Sequence, residues 1–311
     1  MTIKECAALL AAEDNVLIIT HTRPDGDTLC SAAALCSALR RAGKKAYVLS
    51  NPETTENYID FISEYVTENS KGNEYVISVD LASEGLFPLN FSGKVMLSVD
   101  HHPSNSLYAE NTVVDGTMAA CGEIIMELIR ELCGSITLRE AELLYVAIAT
   151  DCGCFCFGNT NARTLRDAAE LLDLGVANGP LNKRFFRSLS RARLTLEGMI
   201  YTGLKAYRDG KINVAVITRE MMERAGATEA DCDDLASLAG KVAGNVVAIT
   251  VRELEGGKSR ASVRTNREVN ASLICQRLGG GGHAMAAGCT AEMGPYELAD
   301  RLVEITNEIW K

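Results

Sequence analysis

Three times in its first hundred residues the chain runs through a short apolar segment and ends it on aspartate or histidine. Val16-Leu17-Ile18-Ile19 leads into His21, Asp25 and Asp27. Tyr75 to Val79 leads into Asp80, and Val95 to Val99 leads into Asp100, His101 and His102. Apolar runs of this length read as buried strands, with Ala46 to Leu49 as another. The Ala- and Leu-rich stretch from Thr28 to Arg41, stopped by Gly43, reads as a helix between two of them. Such alternation predicts an α/β fold with a parallel sheet flanked by helices. The carboxyl ends of parallel strands share one edge, where ligands bind, so residues 80 positions apart can converge there.

The converging residue types suit a metal centre. Imidazoles mixed with carboxylates favour Mn²⁺ and accept Mg²⁺ or Co²⁺, and two such ions roughly 3.5–4 Å apart can activate water and stabilise a leaving phosphoryl oxygen. Asp25 and Asp27, one residue apart, could serve different ions. The eleven cysteines are odd in number and scattered, which is no disulfide framework. Cys152, Cys154 and Cys156 lack the spacing of a zinc knuckle.

The fourth histidine, His283, closes the run Gly279–Gly282. Successive glycines can turn backbone N–H groups toward an anion, and a helix starting after them would add partial positive charge. Arg264, at the end of an expected strand, is a candidate phosphate partner.

Length suits two domains. The Gly-Pro turn within 177–182 marks a boundary, giving domains at 1–180 and 211–311 with a basic helical linker over 181–210. Further helices are expected near 119–133, 138–149 and 161–174. In the second domain strands are expected at 212–217, 246–251 and 260–263, and helices at 270–278 and 295–310. Residues 1–180 hold 12 Lys/Arg against 25 Asp/Glu, a net −13; residues 181–311 hold 19 against 16, a net +3. An overall −10 argues against coating long nucleic acid, though metals in the acidic half would let a short anion bind. No run approaches the roughly 18 apolar residues of a membrane span, and the N-terminus lacks a signal-peptide layout. A cytoplasmic protein without membrane partners is the expectation, and a homodimer is left open.

Val-Asp-His-His at 99–102, His21-x-x-x-Asp25-x-Asp27, and Asp151-Cys-Gly resemble the phosphoesterases named for their Asp-His-His (DHH) motif. Gly279 to Gly288, Gly-Gly-Gly-Gly-His-x-x-Ala-Ala-Gly, resembles their first type of associated C-terminal domain, DHHA1. The two-domain size is similar to the bifunctional oligoribonuclease and pAp-phosphatase (nanoRNase) branch. The resemblance implies a smaller α/β C-terminal domain and an active site in the interdomain cleft. It assigns His21, Asp25 and Asp80 to one metal ion and Asp27, Asp80, His101 and Asp151 to a second, with Asp80 bridging. His102 would face the scissile phosphate, and Gly280, Gly281, Gly282, His283 and Arg264 would bind the nucleotide.

The implied activity is release of 5′-monophosphates from very short single-stranded RNA, and of AMP from pAp, by cleaving the P–O3′ bond. Hydrolysis of pApA or cyclic di-AMP is the alternative, with pyrophosphatase action more distant. A non-catalytic nucleotide sensor is the rival of another class, but a sensor has no need of a complete ligand set. Cys152 stands where the family usually has threonine, Cys156 lies between Phe155 and Phe157 where it has arginine, and Cys30 replaces a glycine. These thiols make sensitivity to oxidation, or capture of Zn²⁺, an expectation.

Overall fold

The computed structural model describes residues 1–232, 235–266 and 268–310, in two compact units, Met1–Ser188 and Leu189–Lys311. The first unit is built on six strands, β1 (Val16–Ile19), β2 (Ala46–Leu49), β3 (Val66–Thr67), β4 (Tyr75–Val79), β5 (Leu97–Asp100) and β6 (Asn111–Val114). They form one sheet in the order β3-β2-β1-β4-β5-β6, parallel throughout. The chain winds outward from β1 to β3 and then returns to place β4 against β1. That reversal opens a crevice at the carboxyl ends of β1 and β4.

The helices of this unit are α1 (Ile3–Ala12), α2 (Gly26–Arg41), α3 (Glu56–Ile62), α4 (Cys121–Cys133), α5 (Leu138–Asp151), α6 (Ala162–Asp173) and the short α7 (Asn178–Asn182). Helix α2 is buried nearly all round, packed between the sheet and α4 and α5. Its Ala, Ser and Cys side chains suit this, because small residues let neighbouring helices approach closely. One face of the sheet, with Val16, Ile18, Ile77 and Val79, packs into this helical layer. The other, with Leu17, Ile19 and Leu49, is covered by loop residues such as Leu81, Val95, Phe87 and Phe91.

The helical linker expected over 181–210 is interrupted. A π turn at Lys183–Arg187 places Phe185 against Tyr58 and Phe61 of the first unit. The chain then extends through Ser188, and Ser190 caps a new helix, α8 (Arg191–Thr202). Leu196 and Ile200 of α8 are buried with Ala215 and Ile217, so α8 belongs to the second core. The aromatic packing and the new cap outweigh helix continuity.

The second unit has β7 (Lys205–Tyr207), β8 (Ile212–Ile217), β9 (Val247–Glu253), β10 (Ser259–Thr265), β11 (Gly281–His283) and β12 (Ala286–Ala291). Their order is β11-β12-β10-β9-β8-β7, with only β8 and β9 parallel to each other among these pairs. Helices α10 (Ala271–Gln276) and α11 (Pro295–Ile309) pack on one face, while α8 and α9 (Arg219–Ala225) belong to the cluster on the other. No helix among the described residues is long and apolar enough to cross a membrane.

Candidate metal centre and nucleotide-binding edge

The crevice between β1 and β4 gathers the predicted metal residues. Helix α2 starts at Gly26, two residues earlier than its apolar pattern suggests, so Asp25 and Asp27 do not lie on an extended segment. Asp25 is the N-cap, accepting from the N–H groups of Asp27 (3.0 Å) and Thr28 (3.2 Å) through Oδ1. Asp27 lies in the first helical turn, fully buried. An extended segment would set the two carboxylates on one face; at this helix start, where positions two apart lie roughly 200° apart round the axis, they diverge.

Asp27 also completes another helix. Helix α4 has Ala120 at its N-cap, which offers no side-chain acceptor. The Asp27 carboxylate takes that place, accepting from Cys121 N at 2.6 Å and Gly122 N at 2.9 Å, with the Ser31 hydroxyl donating at 3.0 Å. Orphan N–H groups at a helix start favour a carboxylate. Thr28 Oγ1 donates to the Val79 carbonyl at 2.8 Å and so pins α2 to the end of β4.

Asp80 follows β4 in a left-handed conformation (φ 57°), which aspartate tolerates better than most residues. Its Oδ2 faces His21 Nε2 at 3.8 Å, and its Oδ1 faces His101 Nε2 at 3.4 Å. His21 Nε2 is also 3.7 Å from Asp25, and His101 Nε2 is 3.1 Å from Asp151. Two clusters able to hold a cation result, His21–Asp25–Asp80 and Asp27–His101–Asp151, and a third set joins Asp80, His101 and His102. No cysteine joins these clusters among the described residues.

The histidines are presented for coordination. His21 Nδ1 lies 2.8 Å from the Thr22 carbonyl and His101 Nδ1 3.3 Å from the Met118 carbonyl. Carbonyl oxygens only accept, so in the neutral ring Nδ1 carries the proton and Nε2 keeps its lone pair toward the carboxylates. Asp80 Oδ1 and His101 Nε2 are buried with no hydrogen-bond partner. Buried polar atoms left unpaired are costly, and a cation between them would satisfy both. The donor set therefore fits divalent metal ions.

The charge balance agrees. Burial, with Asp80 and Asp151 nearby, pushes Asp27 well above the usual carboxylate range. Burial and the neighbouring Asp25 and Asp151 raise Asp80 to about 6 against the opposing His101. Burial works against protonation of His21 and His101, but their carboxylate partners win, lifting them to about 9 and about 11. Partial burial opposes ionisation of Asp25, yet His21 and the helix N–H groups hold it low. Without metal, protons on the imidazoles offset the gathered negative charge.

His102 differs from the other two. Its Nδ1 is 2.8 Å from Asp100 Oδ1, and the ring is 43% exposed with Nε2 unengaged. Asp100 is fully buried and also accepts from His101 N, His102 N and Asn105 Nδ2. Burial would raise Asp100, but the hydrogen bonds from His102 and Asn105 hold it low; Asp100 in turn raises His102. Asp100, which opens the motif, thus joins the site as the partner of His102 and not as a candidate metal ligand. Other supports leave fainter signals. Asn51 Nδ2 holds the His21 carbonyl at 2.8 Å, and Asn159 Nδ2 holds the carbonyls of Ala119 and Asp151 at 3.0 and 3.1 Å. Only tertiary pairing shows what these amides grip.

In the second unit the glycine run does not open a helix. Gly281–His283 is an edge strand antiparallel to β12. A Cβ on Gly280 would lie 2.2 Å from the Gly288 carbonyl oxygen, and one on Gly282 would lie 2.6 Å from that of Ala286. Close strand approach thus demands glycine there, rather than an anion nest at a helix start. His283 pairs with Ala286, and Ala286 with Arg264, so the two exposed side chains share one face of the sheet two strands apart. Gly281 pairs with Gly288 on that face and leaves a shallow surface beside them.

The chain is similar to known proteins along nearly its whole length. The DHH family N-terminal domain matches residues 15–148, and the DHHA1 domain matches residues 209–311. A bifunctional oligoribonuclease and PAP phosphatase NrnA from Thermus thermophilus is 33% identical over 305 residues, covering 96% of this chain and 91% of the relative. The chain belongs to the DHH/DHHA1 phosphoesterase family, and is a hydrolase. The NrnA of Bacillus subtilis is 25% identical, with 96% of each chain covered. A cyclic-di-AMP phosphodiesterase PdeA from Listeria monocytogenes is 25% identical and matches 97% of this chain but 49% of its own length. The crystal structure of an exopolyphosphatase-related protein from Bacteroides fragilis has the same fold, with a TM-score of 0.86 at 18% identity, covering 98% of this chain and 95% of its own.

Proposed function

We propose that this DHH/DHHA1 hydrolase cleaves the P–O3′ bond of very short oligoribonucleotides, releasing nucleoside 5′-monophosphates, and removes the 3′ phosphate of pAp to give AMP. It would use two divalent cations, Mn²⁺ first, held by His21, Asp25 and Asp80 and by Asp27, Asp80, His101 and Asp151. The observation that carries the metal reading is Asp80, whose two oxygens face different histidines while one lacks any hydrogen-bond donor. Bound divalent cations supply charge to a phosphoryl group and a lowered pKa to water.

The chain's own groups do the rest. His21 and His101 hold their Nε2 lone pairs inward through the Thr22 and Met118 carbonyls. Asp27 is fixed by the N-terminus of α4, which keeps that carboxylate from drifting when charge changes. Asp100 holds the His102 ring with Nε2 free to give a proton to the leaving 3′ oxygen or to bond the phosphate. Arg264, Gly280, Gly281, Gly282 and His283 bind the nucleotide.

The whole-chain similarity to the two NrnA proteins supports these substrates, and the PdeA relative makes cyclic di-AMP and pApA the second reading. A side-by-side assay with Mn²⁺, Mg²⁺, Co²⁺ or chelator decides, using RNA of two to five nucleotides, pAp, pApA, cyclic di-AMP and pyrophosphate. Mn²⁺-dependent monophosphate from RNA and AMP from pAp are expected. Faster turnover of cyclic di-AMP than of either, or no metal-dependent release, would overturn the proposal.

A further inference from the structure

Beside the metal loop, the first unit holds a cavity of about 560 Å³ at the carboxyl ends of β2 and β3. Its size falls within the roughly 300–1,000 Å³ of small-molecule sites. Leu29 of α2, Val48 of β2, Ile62 of α3 and Val66 of β3 supply apolar walls, and Ile59, 53% exposed, also lines it. Asn51 joins it to the metal loop, donating to Thr20 Oγ1 at 3.0 Å and to the His21 carbonyl at 2.8 Å, and accepting from Glu53 N at 3.1 Å.

The remaining polar lining selects a ligand type. Asn90 gives one of its two amide hydrogens to the Ser50 carbonyl (2.7 Å), which leaves its oxygen to accept and its second hydrogen to donate. Glu68 accepts one bond, from Ser50 Oγ at 3.1 Å, and keeps further acceptor capacity. Thr54 also lines the cavity. No Lys, Arg or His is among the described lining residues. The Glu68 carboxylate, with no cation in the lining, disfavours a phosphate, whereas apolar walls favour a flat, uncharged ring.

We propose that this cavity is a nucleobase subsite for an amino-bearing base, adenine, cytosine or guanine, of a nucleoside or nucleotide. The ring would pack against Leu29, Ile62 and Val66, and its exocyclic amine would donate to Asn90 or Glu68. Binding does not rest on the proposed hydrolysis; only the source of the base does.

Calorimetry with the metal-free full chain tests the subsite, with adenosine, cytidine, uridine and inorganic phosphate as probes. Adenosine should bind at least tenfold more tightly than uridine, and phosphate should not compete with it. Ile59→Trp, placed at an exposed position, should weaken adenosine at least tenfold, and Thr54→Ala about threefold, with unchanged circular dichroism and melting. No adenosine binding by the wild type, equal binding of uridine, or undiminished binding by both variants would overturn the proposal. The source of the base is read in the Mn²⁺ assay of Ile59→Trp. A raised KM for pAp with unchanged turnover of bis(p-nitrophenyl) phosphate identifies the substrate's own base. Unchanged pAp kinetics alongside lost adenosine binding identifies a free nucleoside. Absence of all hydrolysis would count against the metal reading and leave the binding result standing.

Discussion

Asp80 combines an uncommon backbone conformation, near-complete burial and two divided carboxylate oxygens. Asparagine suits the same left-handed backbone and keeps the shape, so Asp80→Asn isolates the charge. We expect it to lower Mn²⁺-dependent hydrolysis by at least roughly a thousandfold, about 4 kcal/mol of barrier, with the fold intact by circular dichroism. Near-normal turnover would remove the two-metal assignment. Asp100 acts through His102. Asp100→Asn should lower kcat by roughly 10–100-fold, the usual effect of losing such a support. Metal stoichiometry by atomic absorption should stay at the wild-type value; loss of metal instead would make Asp100 a prop for His101.

At the scale of elements, the site depends on helix starts meeting strand ends. Gly26, between Asp25 and Asp27, is where α2 meets Thr150 and Tyr58: a Cβ there would lie 2.2 Å from Thr150 Oγ1 and 2.5 Å from Tyr58 Oη. Thr150 adjoins Asp151, so Gly26→Ala strains both metal clusters. The Mn²⁺ concentration for half-maximal activity should rise about tenfold; an unchanged requirement would show that the two side chains yield freely. In the second unit, Gly280→Ala meets backbone rather than a side-chain tip. It should destabilise by about 1–3 kcal/mol, seen as an earlier thermal transition, without altering metal stoichiometry. The glycine run could be read as chemically special from sequence, but its reason could not. A β12 neighbour 2.2 Å from an imagined Cβ is a tertiary fact, and it replaces the expected helix start with strand packing.

Across the whole molecule, a first unit that gathers Asp25, Asp27, Asp80 and Asp151 at one edge should gain stability from divalent cations. At a free concentration a hundred times Kd, binding to the folded state alone contributes about 2.7 kcal/mol. Differential scanning calorimetry with Mn²⁺ and with chelator should show a higher transition with the metal, and equal transitions would contradict cation binding there. The apolar runs ending in Asp and His made the parallel sheet, its strand ends and the metal candidates legible, because strand burial and ligand chemistry are local properties of residue type. The edge strands β3 and β7, of two and three residues, carried too few residues to show a period. The break after Lys183–Arg187 was hidden because Phe185 finds Tyr58 and Phe61 across 120 positions or more. By itself, then, the sequence determined which side chains could ligate a metal and that strand ends would present them. Only the tertiary structure decided that Asp27 caps α4, that Asp100 holds His102, and that a cavity adjoins the His21 loop, since each depends on groups brought together by packing rather than by spacing.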